Sequence, residues 1–348
     1  MNKTENQSNM DIKSAVKDIL DTIDRERERE IIARRFGLYD RRETLEQIGE
    51  LLGITRERVR QLEKAILARL KAFADEDKLP HISKVEKQFI MHLHELGRVA
   101  RIEDLTARVS SENTGREQAH VTLLATLAPH LTLLEENDNY YQGVAITEYF
   151  EEEELKKKVE EIVEAVSKNG KPCTVEELYQ QLSYEHPSHI QALASLSKKL
   201  ASLQGQWGLV KWPTVNPKNI RDKIYVVLQQ AGKPLHFSEI SKKIQESNFR
   251  RKDVTTQAIH NELIKDKRFV LIGRGIYALD EWGYKRGTVA DIISDVLRKE
   301  KGPLHRDEIV KRVLKHRQVK ETTILLNLQG KPQFKRTAKA TYDLANQS

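Results

Sequence analysis

Apolar residues near the start of the chain recur at intervals of three and four, which is the spacing of an α-helix. Two such runs occupy residues 12–23 and 31–36, and two more occupy residues 45–52 and 59–70. Each run leaves the remaining faces of its helix polar, as expected of short helices that pack around one core. The pattern therefore predicts four helices within residues 11–73.

Capping residues define the third and fourth of these helices. Thr44 followed three positions later by Gln47 is a capping box, Gly53 is a helix stop, and Thr55 is the next N-cap. Two helices joined by a tight turn that contains glycine are typical of a helix-turn-helix, whose second helix enters the major groove of DNA. We predict that residues 11–73 form a helix-turn-helix.

Long polar side chains begin the fourth helix, on the side opposite its apolar stripe. They are Arg56, Glu57, Arg60 and Gln61. Arginine pairs bidentately with guanine, glutamine pairs with adenine, and glutamate accepts from the amino group of cytosine, so this set suits base contacts. The alternative is a solvated charged face with helical pairs such as Glu57 with Gln61.

Three strings within this region resemble region 4 of the sigma-70 family. They are RFGL at residues 35–38, TLEQIGELLGIT at 44–55 and RERVRQLEKAILARL at 56–70. The resemblance implies that the helix reads a −35 promoter element, and it places Arg56, Glu57, Arg60 and Gln61 on the base-contacting positions. Thr55, Arg58 and Lys64 would then contact phosphates. The implied partners are double-stranded promoter DNA and the β flap of the bacterial RNA polymerase core.

A full sigma factor carries, ahead of region 4, a domain whose aromatic residues melt the −10 element. Here about ten residues precede the first predicted helix, and aromatic residues make up 6% of the chain. We therefore expect that the chain does not direct initiation alone.

The remainder of the chain is repetitive. Related strings, GRVARIEDL, GKPCTVEEL, GKPLHFSEI and GPLHRDEI, begin at Gly97, Gly170, Gly232 and Gly302. Each follows an amphipathic helix and opens another, and apolar residues that suit a short hairpin come after a third helix. The clearest hairpin has Gly273-Arg274-Gly275 as its loop.

Three helices followed by a two-stranded wing are a winged helix. We predict a mainly α fold, with the N-terminal helix-turn-helix followed by four tandem winged-helix domains with short β-hairpin wings. Their expected bounds are 81–147, 154–213, 220–283 and 288–345, and we call them winged units 1 to 4. Winged unit 3 resembles the HARE-HTH family, whose relatives include the δ subunit of bacterial RNA polymerase.

Charge is distributed unevenly along the chain. Residues 220–348 contain 27 Lys and Arg against 15 Asp and Glu, whereas residues 81–219 contain 15 against 20. A concentrated positive field attracts polyanions, which places nonspecific nucleic-acid affinity in winged units 3 and 4. Winged units 1 and 2 are expected to act as spacers or protein contacts.

Within winged unit 3 we expect a second recognition helix over residues 255–265. Arg250, Arg251 and Lys252 before it, with Arg274 in the wing, are predicted phosphate contacts. Winged unit 4 has cations in comparable places, namely Lys311, Arg312, Lys315, Arg317, Lys320, Lys335, Arg336 and Lys339. The alternative is that these residues only keep a basic surface soluble.

Other classes of protein receive little support from the sequence. No apolar run reaches the length of a membrane helix, and the single cysteine, Cys173, allows no internal disulfide, so we expect a cytoplasmic protein. His92 and His94 lie two positions apart, which suits a zinc pair poorly on a helix, and no phosphate-binding glycine loop occurs. We expect no enzyme activity, cofactor, metal or small-molecule substrate.

Three functions fit these observations. The first is a multi-domain regulator that takes part in transcription initiation or its regulation, with a base-reading sigma-like module and basic winged helices that add backbone affinity. The second is a δ-like accessory subunit of RNA polymerase that reads no bases. The third is a chromosome-associated protein that binds through phosphates alone.

Overall fold

The computed structural model describes residues 11–249, 253–300 and 302–345. The chain divides between Lys211 and Trp212 into two compact units, which we call the N-terminal body and the C-terminal body. Across the described residues the fold is mainly α, with a helix-turn-helix followed by four winged helices, as predicted. No helix among these residues has the length and apolar character to span a membrane.

The helix-turn-helix opens the N-terminal body. Its helices are α1 (Ile12–Asp21), α2 (Glu26–Phe36), α3 (Leu45–Leu52) and α4 (Arg56–Asp75). The capping box is formed as predicted: the Thr44 hydroxyl accepts from the Gln47 amide at 3.2 Å, and the Thr44 amide donates to the Gln47 side chain at 2.9 Å. Gly53 adopts a left-handed conformation and ends α3.

Winged units 1 and 2 complete the N-terminal body. Winged unit 1 contains α5 (Ile82–Leu96), β1 (Val99–Arg101), α6 (Ile102–Val109), α7 (Gly115–Leu127), β2 (Leu131–Leu134) and β3 (Gly143–Ile146). Winged unit 2 contains α8 (Glu152–Asn169), β4 (Cys173–Thr174), α9 (Val175–Gln181), α10 (Pro187–Leu196), β5 (Leu200–Leu203) and β6 (Gln206–Leu209).

The C-terminal body holds the other two units. Winged unit 3 contains α11 (Ile220–Ala231), β7 (Leu235–His236), α12 (Phe237–Glu246), α13 (Thr256–Lys265), β8 (Phe269–Gly273) and β9 (Ile276–Leu279), then a short 3-10 turn, Asp280–Trp282. Winged unit 4 contains α14 (Val289–Glu300), β10 (Leu304–His305), α15 (Arg306–Leu314), α16 (Glu321–Gly330), β11 (Phe334–Ala338) and β12 (Thr341–Leu344).

Every wing has one strand more than the hairpin that the sequence predicts. The turn before the second helix of each unit forms a short strand, and this strand pairs antiparallel with the second strand of the hairpin. In winged unit 3 the hairpin loop is also shorter than predicted, because Gly273 belongs to β8 and pairs with Ile276. The hairpin therefore closes over Arg274 and Gly275.

Helix α7 joins the helix-turn-helix to winged unit 1. Ile19 of α1, Leu70 of α4 and Leu123 of α7 belong to the same buried cluster. Polar contacts reinforce this core: Lys13 Nζ lies 3.1 Å from the buried Glu117 carboxylate, and Arg116 Nε donates to the Leu38 carbonyl at 2.9 Å. The outward face of α7 is therefore covered by the helix-turn-helix.

Helix α10 has the same relation to winged unit 1. The Tyr141 amide donates to the Leu196 carbonyl at 2.8 Å, and the Lys198 amide donates to the Asn139 carbonyl at 2.8 Å. Arg101 donates through Nε to the Ser195 carbonyl. The third helix of winged unit 2 thus lies against the preceding unit.

Arg317 occupies a place that the charge pattern does not predict. We expected it among the cations of a phosphate track, but its side chain is buried and donates to the Leu271 and Gly287 carbonyls. Burial lowers the pKa of its guanidinium. The next residue, Gln318, donates its amide to the Ile272 carbonyl at 3.0 Å. Arg317 is therefore a structural link between winged units 3 and 4, and that expectation was wrong.

Candidate nucleic-acid interface

Helix α4 is anchored along one side and open along the other. Val59, Ile66 and Leu70 are buried and fix the helix on the core. At its N-terminus, the Thr55 hydroxyl accepts from the Arg58 amide at 3.2 Å, so the first turn is capped. The first two turns of α4 therefore project from the body with their free side turned to solvent.

The residues expected to contact DNA all lie on this open side. Thr55, Arg56, Glu57, Arg58, Arg60, Gln61 and Lys64 are exposed. We call Arg56, Glu57, Arg60 and Gln61 the α4 face. The structure brings these four side chains together within two turns of one helix, which is the length that enters a major groove.

A hydrogen-bonded network orders the α4 face. Arg60 forms two parallel bonds with the Glu57 carboxylate, from Nη2 at 2.7 Å and from Nε at 2.9 Å. Gln61 Nε2 also donates to Glu57, at 3.3 Å. The bond from Arg60 lowers the pKa of the Glu57 carboxyl and keeps it ionised. Glu57 is thereby a charged acceptor.

The contacts of the remaining cations are weaker. Arg56 lies 3.1 Å from the Glu46 carboxylate of α3, and both side chains are more than half exposed. Arg58 Nη1 lies 3.5 Å from Gln61 Oε1. Exposed ion pairs contribute about 0–1 kcal/mol, so these side chains can exchange their protein partners for base or phosphate oxygens at small cost.

Ion pairs below the surface set the direction of α4. Arg35 of α2 bonds both oxygens of Glu63 at 3.1 Å, and Arg69 Nη2 bonds the buried Glu28 at 2.8 Å. Arg27 donates to the Leu52 carbonyl at the end of α3 at 2.7 Å. These side chains are positioning residues that the sequence reasoning missed. Glu28 falls inside a run of alternating charges that looks solvated, so the pattern contains no signal for its burial.

The second candidate surface is helix α13 with its wing. Thr255 caps α13 as Thr55 caps α4, accepting from the Ala258 amide at 3.2 Å. Arg274, a predicted phosphate contact, is exposed in the hairpin loop. The other predicted contacts of this unit, Arg250, Arg251 and Lys252, lie outside the described residues.

Winged unit 4 is less suited to base contacts than its charge suggests. Its third helix, α16, has no Lys or Arg, and Leu326 on its outer side is 68% exposed. Arg312 is held by Glu300 and by Glu308 at 2.7 Å. The exposed cations of this unit include Lys335, Arg336 and Lys339 in and beside β11. These suit contacts along a phosphate backbone.

The described residues contain no cluster of three or more His, Cys, Asp or Glu side chains placed to hold a metal ion. Cys173 lies buried in β4, and burial raises the pKa of its thiol. His94 packs edge-on against Tyr149 with 6.0 Å between ring centroids, which is a packing role.

Two segments of the chain match known families. Residues 25–72 match the family described as Sigma-70, region 4, and residues 220–282 match HARE-HTH, the HTH domain of ASXL and restriction endonuclease proteins. Both resemblances drawn from the sequence are thereby confirmed. Over 61 residues the chain is 46% identical to the RNA polymerase sigma factor SigA of a Bacillus species. That match spans 17% of this chain and 16% of the relative, so the likeness concerns one domain of each.

Proposed function

We propose that this protein is a DNA-binding transcription protein whose α4 face recognises a −35-like promoter element. The observation that carries the proposal is the first half of α4, where two arginines, a glutamate and a glutamine share one exposed and capped stretch of helix. The similarity of residues 25–72 to sigma-70 region 4 supports the same assignment. We place its work in the cytoplasm, at the initiation of transcription or its regulation, and as binding rather than catalysis.

Each exposed side chain has a proposed contact. Arg56 and Arg60 pair with guanine, Gln61 pairs with adenine, and Glu57 accepts from cytosine. Thr55, Arg58 and Lys64 bind phosphates beside them. Arg274 adds a phosphate contact from winged unit 3, and the sequence supports the same role for Arg250, Arg251 and Lys252.

RNA polymerase is the proposed protein partner. The relative that matches the first domain is a sigma factor of that enzyme, and region 4 of its family docks on the β flap. The helix-turn-helix shares its core with winged unit 1, so docking of this domain would carry the rest of the N-terminal body with it.

The test is selection of bound duplexes from a random library with the full chain at moderate salt. We expect an enriched hexamer that resembles the −35 element. Arg60→Ala and Gln61→Ala should relax the preference at single positions, at a cost of about 1–3 kcal/mol for each lost base contact. Lys64→Ala is the matched control, because loss of a phosphate contact weakens binding to every sequence alike.

Absence of any enriched sequence would overturn base reading by α4. With a steep salt dependence, it would indicate a chromosome-associated protein that binds through phosphates. A second candidate function is that of an accessory subunit of RNA polymerase, favoured by the exposed Leu326 and the absence of cations on α16. Co-purification with core polymerase that survives DNase treatment, together with an unenriched library, would select that function.

A further inference from the structure

The third helix of a winged unit is the one that can enter a major groove, and the four copies here differ in what they present. Counting back from the first hairpin strand aligns Gln257 and Asn261 of α13 with two residues in each other copy. In α7 the equivalents are Ala119 and Leu123, and both are buried. In α10 they are Ser188 and Ala192, and Ala192 is buried on the side that faces winged unit 1.

Winged unit 4 differs in another way. There the equivalents are Thr322 and Leu326 on α16, an exposed hydroxyl and an exposed apolar side chain. Neither can form the paired hydrogen bonds that distinguish one base from another. Among the described residues, α13 is therefore the third helix with an open and polar outer side.

Three residues of α13 follow one another along that outer side. Gln257, Asn261 and Ile264 are spaced by four and three positions, so they form one stripe, which we call the α13 stripe. All three are exposed, and Ile264 is 64% exposed. An isoleucine this open on a capped, well-anchored helix contributes little to the core.

The two amides are already paired with each other. Gln257 Nε2 donates to Asn261 Oδ1 at 3.1 Å, which leaves the Gln257 oxygen and the Asn261 amino group directed outward. One acceptor beside one donor is the complement of the amino group and N7 of adenine. The methyl group of the paired thymine offers an apolar contact to a side chain such as Ile264.

The charges around α13 suit DNA. Its acidic neighbours are neutralised, since Asp266 lies 2.7 Å from Arg268 and Glu262 lies 3.5 Å from Arg221. Lys265 and Lys267, at and just beyond the end of the helix, are exposed, as is Arg274 in the wing. An uncharged stripe near exposed cations fits base edges flanked by phosphates.

We propose that winged unit 3 is a second sequence reader, in which the α13 stripe recognises A·T base pairs in the major groove. Gln257 and Asn261 contact adenine and Ile264 contacts the thymine methyl group. The inference rests on the proposed function in that both treat the chain as a DNA reader, but it uses a different helix and can be tested separately.

Selection from a random duplex library with the full chain tests it. We expect an A-containing motif in addition to the −35-like hexamer. The double variant Gln257→Thr and Asn261→Leu places the residues of winged unit 4 in winged unit 3, and it should lose the A-containing motif while keeping the hexamer. Arg60→Ala with Gln61→Ala should do the reverse. Leu326→Ala is the matched surface control and should keep both motifs.

Base analogues provide a readout that needs no variant. In the selected duplex, 7-deazaadenine removes the N7 acceptor and uracil removes the thymine methyl group. Each should weaken binding by the unaltered chain about tenfold, the equivalent of about 1.4 kcal/mol. The double variant should be insensitive to 7-deazaadenine. An A-containing motif without the hexamer would overturn the α4 proposal alone. A missing A-containing motif, or one that the double variant and the analogues leave unchanged, would overturn this inference.

Discussion

The two glycines of the turn between α3 and α4 serve different physical purposes. Gly49 lies inside α3, and a Cβ atom there would be 2.7 Å from the Ile54 carbonyl oxygen. Gly53 has a φ of +65°, but open space surrounds its Cα. One position requires the absence of a side chain, and the other requires a left-handed backbone.

Substitution at the two glycines should therefore give opposite results. Alanine in place of glycine inside a helix normally stabilises it by about 0.5–1 kcal/mol. At Gly49 the contact with the backbone reverses this sign, and Gly49→Ala should lower the free energy of unfolding by about 1–3 kcal/mol. Gly53→Asn should be nearly neutral, because asparagine tolerates the left-handed region. Urea unfolding of both variants measures the difference, and equal losses would contradict it.

At the scale of elements, sequence reasoning succeeded where a residue determines its own local structure. The Thr44 capping box and the Thr55 cap begin α3 and α4 as predicted. The strands β1, β4, β7 and β10 were missed, because two or three residues are too few to show alternation. Burial of α7 and α10 was also missed, since an apolar face reads the same in a sequence whether it meets its own core or a neighbouring unit.

The α4 face illustrates the same limit at the candidate site. Its four residues could be selected from the sequence because they stand opposite a regular apolar stripe. Glu28 and Arg317 could not, since a buried charge depends on a partner that is distant in the sequence, 41 residues away for Glu28 and Arg69. Pairing over such distances is set by the tertiary fold.

Helix α7 also makes the N-terminal body sensitive to pH. His120 is buried between winged unit 1 and the helix-turn-helix, and burial lowers its pKa although Glu117 nearby acts in the opposite direction. Arg116 and Lys13 add to the lowering. Neutral imidazole is therefore the form that fits the folded chain.

The sign of the effect follows from linkage. The unfolded chain takes up the His120 proton near pH 6.5, and the folded chain takes it up only at lower pH, so stability falls as pH decreases below about 6.5. His120→Gln should remove this component. Unfolding in urea at a series of pH values measures it, and parallel curves for the variant and the unaltered chain would contradict the role of His120.

At the scale of the whole molecule, charge and sequence reading are separate properties. The basic C-terminal third should contribute affinity that depends on salt, whereas α4 and α13 should contribute preference. Replacing Lys335, Arg336 and Lys339 together by glutamine should reduce the slope of log affinity against log salt by up to about 3, with the preferred sequence unchanged.

A matched triple variant lies in the acidic middle of the chain. Lys156 is held by Glu152 and Glu153 within 2.9 Å, and Lys158 by Glu161 at 3.2 Å. Replacing residues 156–158 by glutamine removes the same charge from a surface that we do not expect to meet DNA. An equal change of slope in both triple variants would show that the effect is one of net charge alone.

The core that the helix-turn-helix shares with winged unit 1 has a consequence for how the chain unfolds. Ile19, Leu70 and Leu123 come from two domains but lie in one cluster, so separating the domains exposes the interior of both. The first domain cannot melt while the second stays intact, as independent beads on a string would. Heat should therefore disrupt them in a single cooperative transition, and damage to either one is felt by the other.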